Sequence, residues 1–305
     1  MNLEIRAPRG ADAAQLVDLI NRDAVELGGE PEENEESIQL WLTAPDLNVE
    51  TDARVVPDDE RLRGYADVTV QAPPKAWADL RVPPSEQDDQ VRLALIEWAE
   101  DRAAERVGGQ PGALLRFFAD GADTAIKRLL EERGYELIRH SYRMRIEFEQ
   151  EIPEPDWPAG LVARPGRAED AEAVYDVHQE SFEDSWEHTR MPWDEWTHWL
   201  TPAGYDPSMW VVVDDGDEMA AVSMNRERDA EPGVGWVSVL GVRRPWRRRG
   251  VGRALLLASF HEFRRRGFHA AALGVDASSL TGANRLYERA GMRVVRRYDI
   301  YDKAL

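Results

Sequence analysis

The sequence predicts a protein of mixed α/β class that consists of two similar halves. Three observations support this prediction. The chain has 305 residues, which is more than one small core usually requires. Short apolar runs typical of strands alternate with longer patterns typical of amphipathic helices. Segments of the first half recur about 158 residues later in the same order, and such a constant spacing indicates tandem copies of one domain.

The repeat is visible near both ends of each half and in the middle. The matched positions, first half before second, are Arg6 and Arg164, Asp12 and Asp170, Trp77 and Trp236, and segments 128–135 and 285–292. The proline-rich stretch 152–158 separates the copies, because proline disfavours a continued helix or central strand. We therefore predict domains at 1–151 and 159–305.

The elements of the second half follow from its periodicity. The pattern predicts strands at 161–164, 209–214, 219–225, 235–242, 270–275 and 293–301, and helices at 168–180, 250–266 and 282–290. The segment 184–199 is rich in tryptophan, and Trp193, Trp196 and Trp199 recur at helical spacing. Packing and an apolar wall for a substrate explain this spacing equally well.

Composition excludes several classes of function. The net charge of −20 argues against non-specific nucleic-acid binding, which needs a basic face. The absence of cysteine excludes disulfides and a thiol nucleophile. Residues 1–6 are charged from the start and lack the apolar core of a signal peptide. No apolar run approaches the roughly 20 residues that span a bilayer. We expect a cytoplasmic protein that binds neither nucleic acid nor membrane.

One short basic segment stands out on this acidic chain. Five arginines lie between 243 and 249, and glycines follow at 250 and 252 where a helix begins. A helix N-terminus has unpaired N–H groups and partial positive charge, and glycine lets a ligand approach the backbone closely. The segment therefore suits a pyrophosphate. It lacks the Gly-Lys-Ser/Thr triplet of a P-loop and the third glycine of a dinucleotide fingerprint.

Residues 239–255, VLGVRRPWRRRGVGRAL, resemble the acyl-CoA motif of the GNAT family of N-acyltransferases, and residues 283–292, ANRLYERAGM, resemble its later motif. The resemblance covers most of the second half. It implies a tandem pair of GNAT-like domains, similar in arrangement to two-domain GNAT enzymes such as the mycothiol synthases. It also implies acetyl-CoA as co-substrate and transfer of an acetyl or other short acyl group to a primary amine, with a small-molecule amine as the expected acceptor.

The resemblance also implies roles for individual residues. Tyr287 would act as general acid and protonate the departing CoA thiolate, since a phenol stays protonated at neutral pH. Backbone amides would hold the pyrophosphate, and the preceding strand end would bind the pantetheine arm. Ser279 would stand in for an asparagine that the family often has. The cofactor-binding residues are then Leu240, Gly241, Val242, Arg247, Arg248, Arg249, Gly250, Val251, Gly252, Arg253 and Ser279.

The general base is not identified by the sequence. Many GNAT members carry a glutamate on the strand before the loop, but residues 236–240 hold no carboxylate. Glu183, Asp184 and His178 are candidates, and proton transfer to bulk water is another route. Without cysteine, the amine would attack the thioester directly. No metal is expected. The alternative function is a CoA-binding regulatory or sensor protein without turnover.

The first half lacks the features of the second. Residues 83–90, PPSEQDDQ, contain three acids and no glycine where a pyrophosphate would lie, so like charges would repel it. Leu130 stands at the position equivalent to Tyr287. We predict a degenerate, non-catalytic first domain that supports the second. The sequence leaves open whether the protein is a monomer or a homodimer.

Overall fold

The structure, a computed structural model, describes residues 3–58, 61–200, 206–228, 230–279 and 282–305. The chain divides into two compact units. Unit 1 comprises Met1–Ser141 and Arg296–Leu305, and unit 2 comprises Tyr142–Val295. The last ten residues thus belong to unit 1, and the proline-rich stretch 152–158 lies inside unit 2. Among the described residues, no helix is both long and apolar enough to span a membrane.

Helices and strands alternate along the chain, which confirms the predicted mixed α/β class. Up to the end of the first repeat they are α1 (Ala13–Glu26), α2 (Glu35–Leu42), α3 (Val49–Asp52), β1 (Ala53–Pro57), β2 (Leu62–Ala72), β3 (Lys75–Arg81), α4 (Asp89–Val107), β4 (Leu114–Asp120), α5 (Thr124–Glu132) and β5 (Glu136–Glu147). The remainder are β6 (Leu161–Pro165), α6 (Ala171–Phe182), α7 (Trp193–His198), β7 (Val211–Asp215), β8 (Glu218–Glu227), β9 (Val234–Val242), α8 (Val251–Arg265), β10 (Ala270–Asp276), α9 (Ala283–Arg289) and β11 (Arg293–Ala304).

The strands of unit 1 follow the order β1-β2-β3-β4-β11. All neighbours are antiparallel except β3 and β4, which are parallel. β11 pairs with β4 through residues 298–304. Helix α4 covers β2 and β3, and its apolar face is fully buried at Ile96 against Leu115 and Phe117 of β4. The burial of these side chains is the main source of stability in this layer.

Unit 2 has the same plan, with the strand order β5-β10-β9-β8-β7-β6. Here β9 and β10 are the parallel pair, and β6 to β9 are antiparallel neighbours. Helix α8 buries Leu256, Phe260 and Phe263 completely. Gly235 of β9 lies directly under the Phe263 ring, where a Cβ atom would overlap the ring atoms. That close contact between helix and sheet requires glycine.

The matched positions of the repeat make the same contacts in both units. Arg6 donates to both oxygens of Asp12, at 2.6 and 2.9 Å. Arg164 donates to both oxygens of Asp170, at 2.7 and 2.9 Å. Each aspartate also accepts from a backbone N–H three residues earlier, that of Arg9 or of Arg167. The sequence repeat therefore corresponds to a repeated bidentate ion pair, which is geometrically specific.

The ends of helices α5 and α9 show the same correspondence. Tyr135 N donates to Leu130 O at 3.0 Å, and Met292 N donates to Tyr287 O at 3.0 Å. In both cases a glycine with positive φ lies immediately before the donor, as expected of a helix that closes through a left-handed residue. Leu130 and Tyr287 are therefore structurally equivalent positions.

Candidate active site

The parallel strands of unit 2 separate partway along their length. Residues 234–236 of β9 pair with residues 270–272 of β10, and no pair joins them beyond Trp236 and Ala272, although both strands are fully described. β9 continues to Val242 and β10 to Asp276. The second part of β9 thus offers an open strand edge, and an extended amide-containing ligand can hydrogen-bond there as a neighbouring strand would.

A tight turn follows β9 and ends at the start of α8. Arg248 and Gly250 both have positive φ, 62° and 88°. Glycine adopts this conformation without cost, but for arginine it costs about 1–2 kcal/mol. Such strain persists where the surrounding structure requires it, and it is frequent at ligand sites. The backbone of this turn is thus held in a shape that is not its intrinsic preference.

The N-terminus of α8 has no side-chain cap. Its N-cap residue is Gly250, which has no side chain to accept from the first N–H groups. The first turn of a helix leaves such donors unpaired and carries about half a positive charge. A serine or aspartate would normally occupy this position and fill it with an oxygen atom. The end of α8 is therefore open to an anion from outside.

Glycine 252 brings the turn close to two other elements. A Cβ atom there would lie 3.1 Å from Leu286 Cδ1 of α9 and 3.8 Å from Val242 Cγ2 at the end of β9. Leu286 directly precedes Tyr287. The start of α8, the open end of β9 and the helix that carries Tyr287 therefore meet at one place.

The arginines of the turn separate into two groups. Three of them are bound, mostly to residues around the end of α6. Arg243 donates to Glu180 at 2.7 Å, and Arg244 donates to Asp184 at 2.7 and 3.1 Å. Arg247 donates to Asp184 at 2.6 Å, to Ser181 O at 2.9 Å and to Val242 O at 3.0 Å. These contacts fix the turn rather than offer charge to a ligand.

Arg248, Arg249 and Arg253 form the second group. Within the part of the chain that the structure describes, their side chains make no ion pair and no hydrogen bond. Arg248 and Arg249 are exposed, and Arg253 is half-buried on the first turn of α8. Three unneutralised guanidinium groups thus surround an uncapped helix N-terminus on a protein of net charge −20, which is a strong local attraction for a polyanion.

Tyr287 lies on α9 and is only 8 % exposed. It belongs to the apolar cluster that includes Leu256, Phe260 and Met292. Burial raises the pKa of Tyr287 to about 12, because the surroundings disfavour the phenolate. The phenol is therefore a proton donor over the whole physiological range.

The residues considered as a general base are poorly suited to that role. Hydrogen bonds from Arg244, and then from Arg247, hold the pKa of Asp184 well below its ordinary value. Glu183 is exposed and lies 3.1 Å from Arg244. His178 Nδ1 is 3.1 Å from Trp196 Nε1 and accepts its hydrogen, and burial lowers the pKa of His178 to about 4. His178 is thus neutral, with its proton on Nε2, which leaves no free nitrogen lone pair.

Ser279 lies in the turn between β10 and α9. Its N–H donates to Asp276 O at 3.1 Å, and its carbonyl accepts from Gly282 N at 3.3 Å. Asn284 Nδ2 also holds this turn, through Asp276 O and Ala277 O at 3.1 and 2.9 Å. Asn284, the asparagine that holds this turn, thus comes after the turn in the sequence, on α9.

Sequence reasoning missed the residues that anchor the loop. Glu180 and the Ser181 carbonyl, at the end of α6, bind Arg243 and Arg247. Gly241 also lies against Ser181, because a Cβ atom at 241 would be 3.0 Å from Ser181 Oγ. Five arginines in seven residues require nearby counter-charges, and the acids at 180, 183 and 184 are the signal that could have identified them.

Comparisons with known proteins agree with this geometry. Residues 171–292 match the model of the Acetyltransferase (GNAT) family. A mycothiol acetyltransferase of Saccharopolyspora erythraea is 30 % identical over 243 residues, which cover 75 % of this chain and 77 % of the relative. A GCN5-related N-acetyltransferase from Sphaerobacter thermophilus is similar in structure, with a TM-score of 0.81 and 29 % identity over 99 % of this chain and 95 % of that one.

A second solved structure bears on the tandem arrangement. A tandem GNAT protein from the clavulanic acid biosynthesis pathway has a TM-score of 0.77 and 16 % identity, and the match covers 99 % of this chain and 98 % of that one. At this identity the likeness concerns the fold. It extends over both halves, as the predicted tandem fold requires.

Proposed function

This chain belongs to the GNAT family of acetyltransferases and transfers an acetyl group from acetyl-CoA to an amine, and we propose that unit 2 carries the reaction with Tyr287 as its general acid. The observation that carries the proposal is the convergence at Gly252 of the uncapped α8 terminus, the open end of β9 and the helix of Tyr287. Each of these features meets one requirement of the substrate.

The start of α8 suits the CoA pyrophosphate. Backbone N–H groups of residues 248–252 are the proposed donors, because the N–H of Arg253 already donates to Gly250 O at 3.1 Å. Arg248, Arg249 and Arg253 supply charge that no acid among the described residues neutralises. Arg247 contributes through its place in the turn, because its guanidinium is already bound to Val242 O and Asp184. Val251, the first residue of the helix, is buried and fixes the direction of the turn.

The open edge of β9 suits the pantetheine arm. Leu240, Gly241 and Val242 form the end of this edge, beyond the last pair with β10. A pantetheine chain carries two amides and can pair with backbone groups as a strand does. We keep Ser279 as a further proposed contact, since its turn follows the strand on the other side of the gap.

Tyr287 would donate its proton to the thiolate that leaves when the C–S bond breaks. Because the pKa of Tyr287 is raised to about 12, the phenol is protonated at every pH at which the protein is assayed. The pH profile of kcat/KM should therefore have no descending limb from this group below about pH 10. The rise of kcat/KM with pH reports loss of the proton from the acceptor amine.

The amine proton would leave to solvent rather than to Asp184, Glu183 or His178. Asp184 and Glu183 are paired with arginines, and neutral His178 has no free ring nitrogen. The neutral amine then attacks the thioester carbonyl directly, and its nitrogen loses a second proton to solvent as the C–S bond breaks. The Tyr287 phenolate regains its proton from solvent, and positioning supplies much of the rate. No acyl-enzyme forms on cysteine, because the chain has none.

A small-molecule amine is the proposed acceptor, in line with the mycothiol acetyltransferases among the relatives. The aromatic residues after α6 are better explained by packing than as an acceptor wall. Trp196 is 3 % exposed, and its ring lies 5.3 Å from Trp193 and 5.4 Å from Tyr175. We further propose a cytoplasmic enzyme, monomeric or homodimeric, whose first domain, within 1–151, is not catalytic and whose second, within 159–305, needs no metal.

The test is an assay of thiol release from acetyl-CoA with a panel of amines that includes the acceptor of the mycothiol acetyltransferases. The Tyr287→Phe variant should lose about 100-fold or more in kcat, while its Kd for acetyl-CoA, measured by calorimetry, stays within about twofold of wild type. Tyr135→Phe is the matched control, because it also removes a buried phenol hydroxyl, but from unit 1, where Tyr135 follows α5.

Two outcomes would contradict the proposal. Equal activity of Tyr287→Phe and Tyr135→Phe would exclude Tyr287 as the acid. Acetyl-CoA binding without thiol release for any amine would favour the regulatory or sensor alternative.

A further inference from the structure

Strand β9, whose far end is open toward β10, contains a bulge at Ser238. In its pairing with β8, residues 237 and 239 lie opposite residues 225 and 224, so no residue of β8 lies opposite Ser238. On the other side of β9, the pairing with β10 ends two residues before Ser238. Ser238 therefore has no registered partner in either neighbouring strand, although all three strands are described here. Bulges re-aim side chains and are frequent next to active sites.

Helices α8 and α6 cover opposite faces of the sheet at this place. Ser259 of α8 donates to Ser223 of β8 at 2.9 Å, whereas the adjacent Met224 packs in the apolar cluster that includes α6. Successive residues of a strand face opposite sides of the sheet. The two helices therefore lie on different faces.

The bulge moves the side chains of β9 from one of these faces to the other. Val237 packs in the apolar cluster that contains α8 and Tyr287, whereas Val239 packs with Val177 of α6. In a regular strand, residues two positions apart share a face. Ser238 is the extra residue that breaks this rule, so it lies where the strand changes from the α8 side to the α6 side.

Ser238 is the one exposed residue among the nine residues of β9. This is unusual, because β9 lies between β8 and β10, and a strand inside a sheet that carries helices on both faces is normally buried. The exposure follows from the separation of the parallel strands, which opens a gap beside Ser238. Within the described residues, its hydroxyl makes no hydrogen bond.

The proposed path of the cofactor leads to this serine. The pyrophosphate is placed at the start of α8 and the pantetheine arm along residues 240–242, so the arm runs along β9 toward the point where the strands separate. A strand advances about 3.3 Å per residue. The thioester, at the end of the arm, then lies beside Ser238. This placement rests on the proposed function.

Ser238 carries the only side-chain oxygen of β9. An attacking amine must come within about 3–3.5 Å of the thioester carbonyl carbon, which also brings it within reach of the serine hydroxyl. A hydroxyl oxygen can accept a hydrogen bond from an N–H group. The neighbours Val237 and Val239 are buried and apolar, so neither can bind the amine.

We propose that Ser238 binds and orients the acceptor amine. Its Oγ atom accepts a hydrogen bond from one N–H of the neutral amine and turns the nitrogen lone pair toward the thioester carbonyl carbon. The amine approaches from the α6 side, whereas Tyr287 protonates the thiolate from the α8 side, so the two groups do not compete for one place. Ser238 keeps its own proton, and the protons of the amine still leave to solvent.

The experiment compares Ser238→Thr with Ser238→Val across the panel of amines, at saturating acetyl-CoA. Both side chains are β-branched, suit a strand and have nearly the same shape, but only threonine has a hydroxyl. Ser238→Val should have a kcat/KM for the amine about tenfold below that of Ser238→Thr, the effect of one lost hydrogen bond. Because the contact is to the amine itself, the same ratio is expected for every amine that is acetylated.

Two further measurements separate this contact from a structural role. The Kd for acetyl-CoA, measured by calorimetry, and the midpoint of thermal unfolding should be the same in both variants, the Kd within about twofold. A weaker Kd for acetyl-CoA in Ser238→Val alone would overturn the proposal, because Ser238 would then bind the cofactor.

Other outcomes also overturn it. Equal kcat/KM of Ser238→Thr and Ser238→Val would remove Ser238 from the acceptor site and leave acetyl transfer by unit 2 intact. A difference with only one amine of the panel would mean that Ser238 contacts another group of that acceptor. Absence of turnover in wild type with every amine would instead overturn the proposed function, and this inference with it.

Discussion

The two strand-to-helix loops of this protein occupy equivalent positions, but one pairs its own charged groups and the other leaves positive charge unpaired. In unit 1 the helix N-cap follows eleven residues after Trp77, and in unit 2 it follows fourteen residues after the equivalent Trp236. The shorter loop satisfies its own polar groups. The longer loop, with its two glycines, leaves donors and positive charge available. The same fold thus yields a closed surface in one unit and a candidate polyanion site in the other.

The caps show the difference most directly. Asp88 Oδ1 accepts from Gln90 N and Val91 N at 2.9 and 3.2 Å, so a carboxylate already occupies the start of α4. Gly250 has no side chain, so no side-chain oxygen atom caps the start of α8. A CoA pyrophosphate at α4 would have to displace that carboxylate and would be repelled by it.

The remainder of the unit 1 loop is also internally paired. Glu86 binds Arg22, Arg61 and Arg63 at 3.0–3.2 Å. Arg92 of α4, which is 2 % exposed, donates to Val82 O at 2.9 Å. In unit 1 the loop supplies the acid, and arginines from other elements pair with it. In unit 2 the loop supplies the arginines, and acids from another part of the unit pair with only some of them. The two units therefore differ in the charges of this loop, although their strands follow the same plan.

The largest expected effect comes from giving unit 2 the cap of unit 1. Gly250→Asp places a carboxylate at the start of α8, and we expect the Kd for acetyl-CoA to rise at least about 100-fold, since a favourable helix terminus becomes a repulsive one. Gly267→Asp is the matched control. It has the same positive φ, 90° against 88°, and likewise no atom within 4 Å of an added Cβ. Equal weakening by both substitutions would attribute the effect to backbone strain.

A smaller effect is expected from the unpaired arginines. The double change Arg248→Gln and Arg249→Gln should weaken acetyl-CoA binding about tenfold and reduce its salt dependence, because two charge-assisted contacts are lost. Arg264→Gln with Arg265→Gln removes the same charge from the other end of α8 and should change the Kd less than about twofold. The comparison is made by calorimetry at two salt concentrations. If both double variants weaken acetyl-CoA binding by the same factor, the affinity depends on the net charge of the protein and not on the place of these arginines.

Asp88→Ala tests whether the unit 1 cap is structural. Removal of an N-cap aspartate should lower the free energy of unfolding by about 1 kcal/mol, measured by thermal or urea denaturation. The stoichiometry of acetyl-CoA should remain one per chain. Asp89→Ala, an exposed position in the same turn, should cost less than about 0.5 kcal/mol. A second bound acetyl-CoA in Asp88→Ala would mean that the cap alone had closed the first site.

The smallest effect is expected at Asp184. Because its pKa is held well below the ordinary value by Arg244 and Arg247, it stays ionised at assay pH and is a poor proton acceptor. Asp184→Asn should change kcat/KM less than about threefold, as expected for an exposed ion pair, and should leave the acidic limb of the pH profile in place. A displaced acidic limb would instead identify Asp184 as the general base.

The sequence by itself determined much of the fold and identified the candidate site. Alternating strand and helix patterns, the repeat, and the glycines at 250 and 252 are local features, and local backbone preferences decide where a helix begins and which residue adopts positive φ. The predicted helix at 250–266 agrees with α8 to within one residue at each end. The prediction that the first loop does not bind phosphate also comes from the sequence, from its acids at 86, 88 and 89, and Asp88→Ala tests it.

Tertiary structure decided which side chains are available. Arg247 and Arg248 are neighbours of one type, yet only Arg247 meets Asp184, 63 residues away in sequence. Asp184 is a poor candidate for the general base for the same reason, because Arg244 and Arg247 both donate to it. The end of β11 joins β4 of unit 1. Such contacts depend on residues far apart in the chain, and their energies depend on burial, which local sequence does not specify.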